Sequence, residues 1–143
     1  MTAVAFHLPV ADKPGYTCRL IRKAVGKGVR LMVTGEDQAL KQLDLDLWTF
    51  SAVDFVPHCG LDAPQRIQQR SPVILSSDVS GVADVTVLVN LGPEMPRGFE
   101  AFDRVIEVVA PDDEELRLAR LRWKRYQAAG FEPVKFDLQA GSP

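Results

Sequence analysis

The stretch RVIEVVAPDDEELRLARLRWKRYQAAG, at residues 104–130, decides the fold, because it joins a buried strand directly to a clearly marked helix. Its first part, RVIEVV, is a short apolar run of the kind found in strands that are covered on both faces. In the helix, Asp112 and Glu115 resemble a capping box, Pro111 suits the first turn, and Gly130 marks the end. A strand that leads into a helix is half of a β-α-β unit, which builds parallel sheets.

The same alternation continues along the rest of the chain. Helices are predicted at 16–25 and 36–47 from apolar side chains at helical spacing, and a surface loop at 60–72 from its glycine and prolines. Strands are predicted at 4–8, 29–33, 73–75, 85–89, 104–109 and 131–138. This order predicts a single three-layer α/β/α domain over residues 1–143, Rossmann-like, with a mostly parallel sheet.

Composition excludes several classes of protein. The formal net charge of -2 and a pI near 5.7 argue against direct binding to duplex DNA, so any contact with DNA is expected to be indirect. Apolar runs are much shorter than the roughly 20 residues of a membrane span, and no export signal is visible, which predicts a cytoplasmic protein. Cys18 and Cys59 are too few for a disulfide framework and have no metal-ligand spacing, so both are interpreted as free thiols.

A Rossmann-like fold raises the question of nucleotide binding. Residues 9–15, after the first predicted strand, contain neither the three-glycine dinucleotide fingerprint nor the ending of a P-loop. Residues 26–28, Gly-Lys-Gly, end a helix, whereas a phosphate loop begins one. The sequence predicts no nucleotide and no other cofactor.

No catalytic or metal site is predicted either. His58 and Cys59 are adjacent, so on an extended segment their side chains point to opposite faces, and no third group orients the histidine. His7 is the other histidine of the chain. The acidic residues 112–115 are what the dipole of a helix N-terminus favours, and this explains them without a metal ion.

Two stripes adjoin on the last predicted helix. At 100° per residue, an apolar and aromatic stripe lies directly beside a basic one. The first stripe comprises Leu116, Ala119, Trp123 and Tyr126, and the second Arg117, Arg120 and Lys124. Two interpretations stay open: the aromatics are core and the cations complement the helix C-terminus, or the surface binds a short acidic peptide that ends in an apolar residue.

A second aromatic group lies at residues 43–58. Trp48 and Phe55 stand at the ends of predicted elements, with Val56, Pro57 and His58 following. Large aromatics are commonly core residues, but an apolar surface with a tryptophan and a proline is also typical of an interface centre. Both interpretations stay open.

These blocks carry a resemblance to a known family. Residues 43–48, Phe55-Val56-Pro57-His58 and above all the ending 123–131, with its aromatic-Lys-x-Tyr and Ala-Gly-Phe pattern, resemble the chi subunits of the DNA polymerase III clamp-loader complex. The resemblance implies a nucleotide-free Rossmann-like fold and a non-catalytic accessory subunit. Its partners would be the acidic C-terminal tail of single-stranded DNA-binding protein and a psi subunit.

The resemblance also implies two sets of site residues. The tail site would use Val109, Arg120, Trp123 and Lys124, with Tyr126 and Gln127 at its border. The psi surface would include Trp48, Phe55, Val56, Pro57 and His58. Members of the family can carry basic residues where Leu116 and Gln127 stand here, so this tail site has fewer cations and a weaker affinity is expected.

Two rivals remain from the sequence. One is a nucleotide-dependent enzyme or helicase-derived module on the same fold, which the missing phosphate loop disfavours. The other is a general interaction domain whose aromatics are all internal. The exposure of Trp48 and Trp123 separates this rival from the adaptor.

Overall fold

The computed structural model describes residues 2–49, 58–60, 72–79 and 84–137. Three α-helices and seven strands lie in these ranges. The helices are α1 (Lys13–Gly26), α2 (Asp37–Thr49) and α3 (Asp113–Ala128), and a short 3-10 helix spans Phe99–Ala101. The strands are β1 (Ala3–Leu8), β2 (Leu31–Thr34), β3 (His58–Gly60), β4 (Val73–Leu75), β5 (Val87–Asn90), β6 (Arg104–Val108) and β7 (Val134–Asp137).

The strands form one open sheet in the order β3-β4-β2-β5-β6-β1-β7, and every pairing is parallel. The chain runs from β1 through β2 to β3 in one direction along the sheet, and then back from β4 to β7. Because parallel crossovers are right-handed, this reversal places helices on opposite faces. A three-layer α/β/α arrangement follows.

Side chains of successive strand residues enter two separate cores. Leu31 and Val33 pack with residues of α1 and α2, whereas Met32, between them, packs with residues of α3. Strands β2 and β4 are buried at every position, which explains their unbroken apolar sequences. Both faces of the central sheet are therefore covered.

The predicted fold class is confirmed, and the predicted helices and strands agree with the observed ones apart from shifts at their ends. One detail was wrong: Pro111 precedes the N-cap Asp112, so it lies outside the first turn. Strand β3 was not predicted, because three residues are too few to establish a periodicity. The loop predicted at 60–72 lies mostly outside the described residues.

The single domain over residues 1–143 stays a prediction. Among the helices that the structure describes, each is too short or too polar to cross a membrane.

Candidate peptide-binding groove

A buried carboxylate fixes the position of α3 on the sheet. Glu107, on β6, is fully buried, and its two oxygens accept hydrogen bonds from Arg122 Nε at 3.1 Å and from the Tyr126 hydroxyl at 2.7 Å. Asn90 Nδ2, at the end of β5, donates to both oxygens at 2.9 and 3.1 Å. Arg122 also donates to the carbonyl of Pro93 at 2.9 Å. The network sets the rotation of α3, since Arg122 and Tyr126 lie one turn apart on its inner side.

The ionisation of this network is set by burial and by the partners. Burial raises the pKa of Glu107, while the Arg122 guanidinium and the hydrogen bonds oppose that rise. Burial, together with the nearby Glu107 carboxylate, raises the pKa of Tyr126, which keeps its hydroxyl protonated and able to donate. A buried ion pair is costly to break, because the remaining charge is left without a partner.

The N-cap Asp112 and the terminal Gly130 of α3 are as the sequence predicted, but the reciprocal half of the capping box is not formed. The Asp112 side chain accepts from the Glu115 backbone N–H at 3.0 Å. Glu115 does not complete the box on Asp112; its carboxylate instead accepts from the backbone N–H of Ala110 at 3.3 Å and pairs with Lys13 at 2.8 Å. Gly130 follows the helix with a φ of 94°, a conformation that favours glycine. The helix is therefore held at both ends.

With α3 fixed in this way, its outer side forms one bank of a groove of about 450 Å³. Phe6 and Leu8 of β1 line it from the sheet, and Lys135 from the edge strand β7. The ring of Trp123 lies 5.1 Å from that of Phe6, centroid to centroid, so it is partly buried. The other lining residues, all from α3, are Leu116, Ala119, Arg120, Lys124 and Gln127.

The charges of the groove have one sign. Arg120, Lys124 and Lys135 line it, and its lining contains no carboxylate. Arg120 and Lys124 are exposed and form no ion pair with the residues that the structure describes. An apolar floor beside unpaired cations can bind an anionic chain that also carries an apolar side chain.

Four of the six predicted tail-site residues meet in this groove: Arg120, Trp123, Lys124 and Gln127. The other two lie behind it. Val109 and Tyr126 are fully buried in the core on the α3 side, and neither lines the groove. They can support its floor from behind, and their role in the tail site stays a prediction.

Phe6, Leu8 and Lys135 were missed by the sequence reasoning. They come from strands far from α3 in sequence, and only the pairing of β7 with β1 brings them to it. No local pattern indicates such a contact.

The second predicted surface is described only in part. Trp48 is 57% exposed near the end of α2, and Leu45, one turn before it, is 60% exposed. His58 is the first residue of β3. Phe55, Val56 and Pro57 lie outside the described residues. Together with the partial burial of Trp123, the exposure of Trp48 disfavours an interaction domain whose aromatics are all internal.

At the carboxyl edge of the sheet, where related folds bind nucleotides, the donors that could bind a phosphate already have partners within the protein. The Asp12 carboxylate caps α1 and accepts from the Gly15 N–H at 3.2 Å, so a negative charge stands where a phosphate would bind. Lys13 donates to the Leu91 carbonyl at 3.0 Å besides pairing with Glu115. Across the described ranges, no group of three His, Cys, Asp or Glu could hold a metal ion.

Comparison with known proteins gives a consistent result. Residues 1–134 match the protein family described as DNA polymerase III chi subunit, HolC. The chain is 29% identical to the DNA polymerase III subunit chi of Escherichia coli K12 over 116 residues, which is 80% of this chain and 78% of that protein. It is 31% identical to the subunit of the same name from Haemophilus influenzae over 107 residues, which is 74% of this chain and 72% of that protein.

Among solved structures, the fold is similar to that of the C-terminal domain of S. cerevisiae Dbp5, determined with Gle1 and IP6 bound. The TM-score is 0.61 at 11% identity, over 96% of this chain and 90% of that chain. At this identity the similarity concerns the fold alone.

Proposed function

We propose, since this chain belongs to the family of DNA polymerase III chi subunits, that it is a non-catalytic adaptor which binds the acidic C-terminal tail of single-stranded DNA-binding protein. Membership of the family gives an accessory role in DNA replication. The finer assignment is that the subunit links the clamp loader to protein-coated single-stranded DNA in the cytoplasm, without chemistry of its own.

The observation that carries the proposal is the groove on α3. There, Arg120 and Lys124 have no carboxylate partner in the part of the chain that the structure describes, and they stand beside the half-buried Trp123. Carboxylates of the tail would pair with the two cations. An apolar side chain at the end of the tail would lie against Trp123, whose ring is backed by the buried ring of Phe6. The uncharged Leu116 and Gln127 limit the ionic part, so we expect a modest affinity.

A psi subunit is the second proposed partner. Leu45 and Trp48 are three residues apart, so they share one side of α2, and both expose more than half of their side-chain surface. Large exposed apolar side chains at one place are typical of interface centres. We assign this surface to psi, and the resemblance adds Phe55, Val56, Pro57 and His58 to it, of which the first three lie outside the described residues.

The test is a titration of a fluorescent peptide that copies the tail of the host's single-stranded DNA-binding protein. Lys124→Ala should weaken binding roughly five- to tenfold, the effect of losing about 1–1.5 kcal/mol of a charge-assisted contact. Arg125→Ala is the matched control, because Arg125 is an exposed cation on the same helix and does not line the groove.

Salt adds a second criterion. The exposed ionic contacts are screened as ionic strength rises, whereas the apolar contact with Trp123 is not, so binding should fall in part and then level off. An absence of saturable binding by folded wild-type protein, or equal losses in Lys124→Ala and Arg125→Ala, would contradict the proposed site.

A further inference from the structure

A second groove lies on the opposite face of the sheet, beside α1. Its volume is about 630 Å³, and it is lined by α1 and by residues of the strands β5, β6, β1 and β7. One bank is α1, and the other includes Arg104 at the start of β6, whereas Val134 and Phe136 of β7 belong to the floor. Its lining residues are Ala5, His7, Tyr16, Arg19, Leu20, Lys23, Ala24, Lys27, Val29, Val87, Arg104, Ile106, Val134, Lys135 and Phe136.

The groove is strongly basic although the whole chain carries a net charge of -2. Five cations line it, and among the described residues no carboxylate does. Arg19, Lys23, Lys27 and Arg104 are exposed, and none of them forms an ion pair with the part of the chain that the structure describes. This concentration of positive charge, without ion-pair partners among the described residues, favours the binding of an anionic ligand.

Three of the cations are ordered along one bank, which is α1. Arg19 and Lys23 lie one turn apart on α1, and Lys27 caps its end one turn further on. Successive cations are thus about 6 Å apart along the helix, a spacing that an extended polyanion can follow charge by charge. Arg104 stands on the opposite bank. Lys23 and Lys27 also complement the C-terminus of α1, but Arg19 and Arg104 have no such role.

Between the banks, the floor is apolar and aromatic. Val134 is 59% exposed and Phe136 39% exposed, which is unusual for side chains on a sheet face. The Phe136 ring stacks on His7 at 4.8 Å, and His7 Nδ1 shares a hydrogen bond of 2.6 Å with the Tyr16 hydroxyl. Burial, with Arg104 nearby, lowers the pKa of His7 to about 4, so the ring is neutral at pH 7.

We propose that this groove binds single-stranded nucleic acid directly, with phosphates on the row of cations along α1 and on Arg104, and bases on the floor around Phe136. Rows of positive charge beside exposed aromatic rings are how proteins bind single strands without reading their sequence. An acidic peptide is the competing occupant, but a row of cations about 12 Å long beside an exposed aromatic ring is the combination that binds a single strand. The sequence had predicted only indirect contact with DNA, since it gives the net charge and not its distribution.

The groove is distinct from the tail-binding groove. The two lie on opposite faces of the sheet and share only Lys135, in the edge strand. Tail binding and nucleic-acid binding can therefore be removed separately, and the failure of one proposal leaves the other standing.

The experiment measures fluorescence anisotropy of a labelled oligothymidylate titrated with the full chain. Four phosphate contacts predict a slope of log K against log salt of about -2.8, since each contributes about -0.7, and hence roughly 50-fold weaker binding at 200 mM than at 50 mM salt. Lys23→Ala combined with Arg104→Ala should halve the slope to about -1.4 and weaken binding at 50 mM salt at least roughly tenfold.

The matched control is Arg117→Ala combined with Arg125→Ala, which removes the same charge from exposed positions of α3 outside both grooves. It should leave the slope near -2.8. Phe136→Leu keeps an apolar floor but removes the ring, and should weaken binding roughly fivefold or more. Each variant is first checked for an unchanged unfolding curve.

Three results would overturn the proposal. The first is no binding of the oligonucleotide at 50 mM salt by folded wild-type protein. The second is equal losses in the groove variant and the control, which would indicate attraction to overall charge. The third is an acidic peptide of equal charge that binds this groove more tightly than the oligonucleotide.

Discussion

The buried hydroxyl of Tyr126 gives the sharpest test of how the α3 groove is built. Tyr126→Phe removes one oxygen from a fully buried ring and keeps its edge-to-face contacts with Phe6 and Phe99. The only hydrogen bond that the structure gives this hydroxyl is the 2.7 Å bond to Glu107, which also keeps its bonds from Arg122 and Asn90. The substitution therefore isolates one contact of the network.

The loss of stability expected for Tyr126→Phe follows from the charge of the acceptor, Glu107. A hydrogen bond to a charged group contributes about 1.5–3 kcal/mol, and the space left by one oxygen is too small to add much. We expect the free energy of unfolding to fall by about 2 kcal/mol, or roughly 6 °C in Tm for a chain of this length. Affinity for the tail peptide should change less than about twofold, because the hydroxyl points to Glu107 and away from the groove.

Urea unfolding followed by tryptophan fluorescence measures the first quantity, and peptide titration the second. Arg120→Ala is the reciprocal variant: as an exposed residue it should cost less than about 0.5 kcal/mol of stability and weaken tail binding several-fold. If Tyr126→Phe weakened tail binding and left stability unchanged, Tyr126 would belong to the binding surface, and the account of the buried network would be wrong.

Three further predictions concern stability and reactivity. The pKa of His7 in the folded protein, about 4, lies below its ordinary 6.5. The contribution of the neutral ring to the free energy of unfolding is therefore present above pH 6.5 and is lost as pH falls toward 4. Between pH 7.5 and 4.5, the free energy of unfolding of the wild type should fall by about 2 kcal/mol more than that of His7→Phe. Urea unfolding at each pH measures both losses, and equal losses would refute the assignment of the pH dependence to His7. Burial raises the pKa of the Cys18 thiol to about 11. In a Cys59→Ser background, Cys18 of the folded protein should therefore react with a thiol reagent about a hundredfold more slowly than Cys18 of the protein unfolded in urea. Comparable rates would show that the thiol is accessible in the folded protein. Asp112→Ala should lower the free energy of unfolding in urea by about 1 kcal/mol, because the Glu115 N–H loses its cap. Asp112→Asn should retain most of that stability, since the amide oxygen can still accept the hydrogen bond. An equal loss in both variants would indicate that the charge of Asp112 matters and not its capping.

Local patterns predicted the elements well, because helical periodicity, caps and buried strands are properties of neighbouring residues. They also predicted which side of α3 is basic. They could not place Val109 and Tyr126 in the core, since a periodic stripe does not say whether a sheet covers it. Glu107, a single acid in an apolar strand, was the available signal, because such a residue requires buried partners.

The distribution of charge over the folded surface was the other property that sequence reasoning did not predict. Arg19 and Arg104 are far apart in the chain and meet across one groove only in the folded protein. A formal net charge of -2 averages them with acidic residues elsewhere and conceals the patch. The edge position of β7, which opens both grooves, likewise depends on strand order and has no local sequence signal.

The pairing of β1 with β6 also has a consequence for synthesis of the protein. Ala3 pairs with Arg104, and the next partner of β1 is β7, later still in the chain. At a translation rate of about 5–20 residues per second, a nascent β1 therefore waits roughly 5–20 s before either neighbour leaves the ribosome. During that time the sequence AVAFHL is an unpaired apolar strand, open to association with other nascent chains. We expect the yield of native protein to depend on chaperones that cover this segment more than on the stability of the finished sheet.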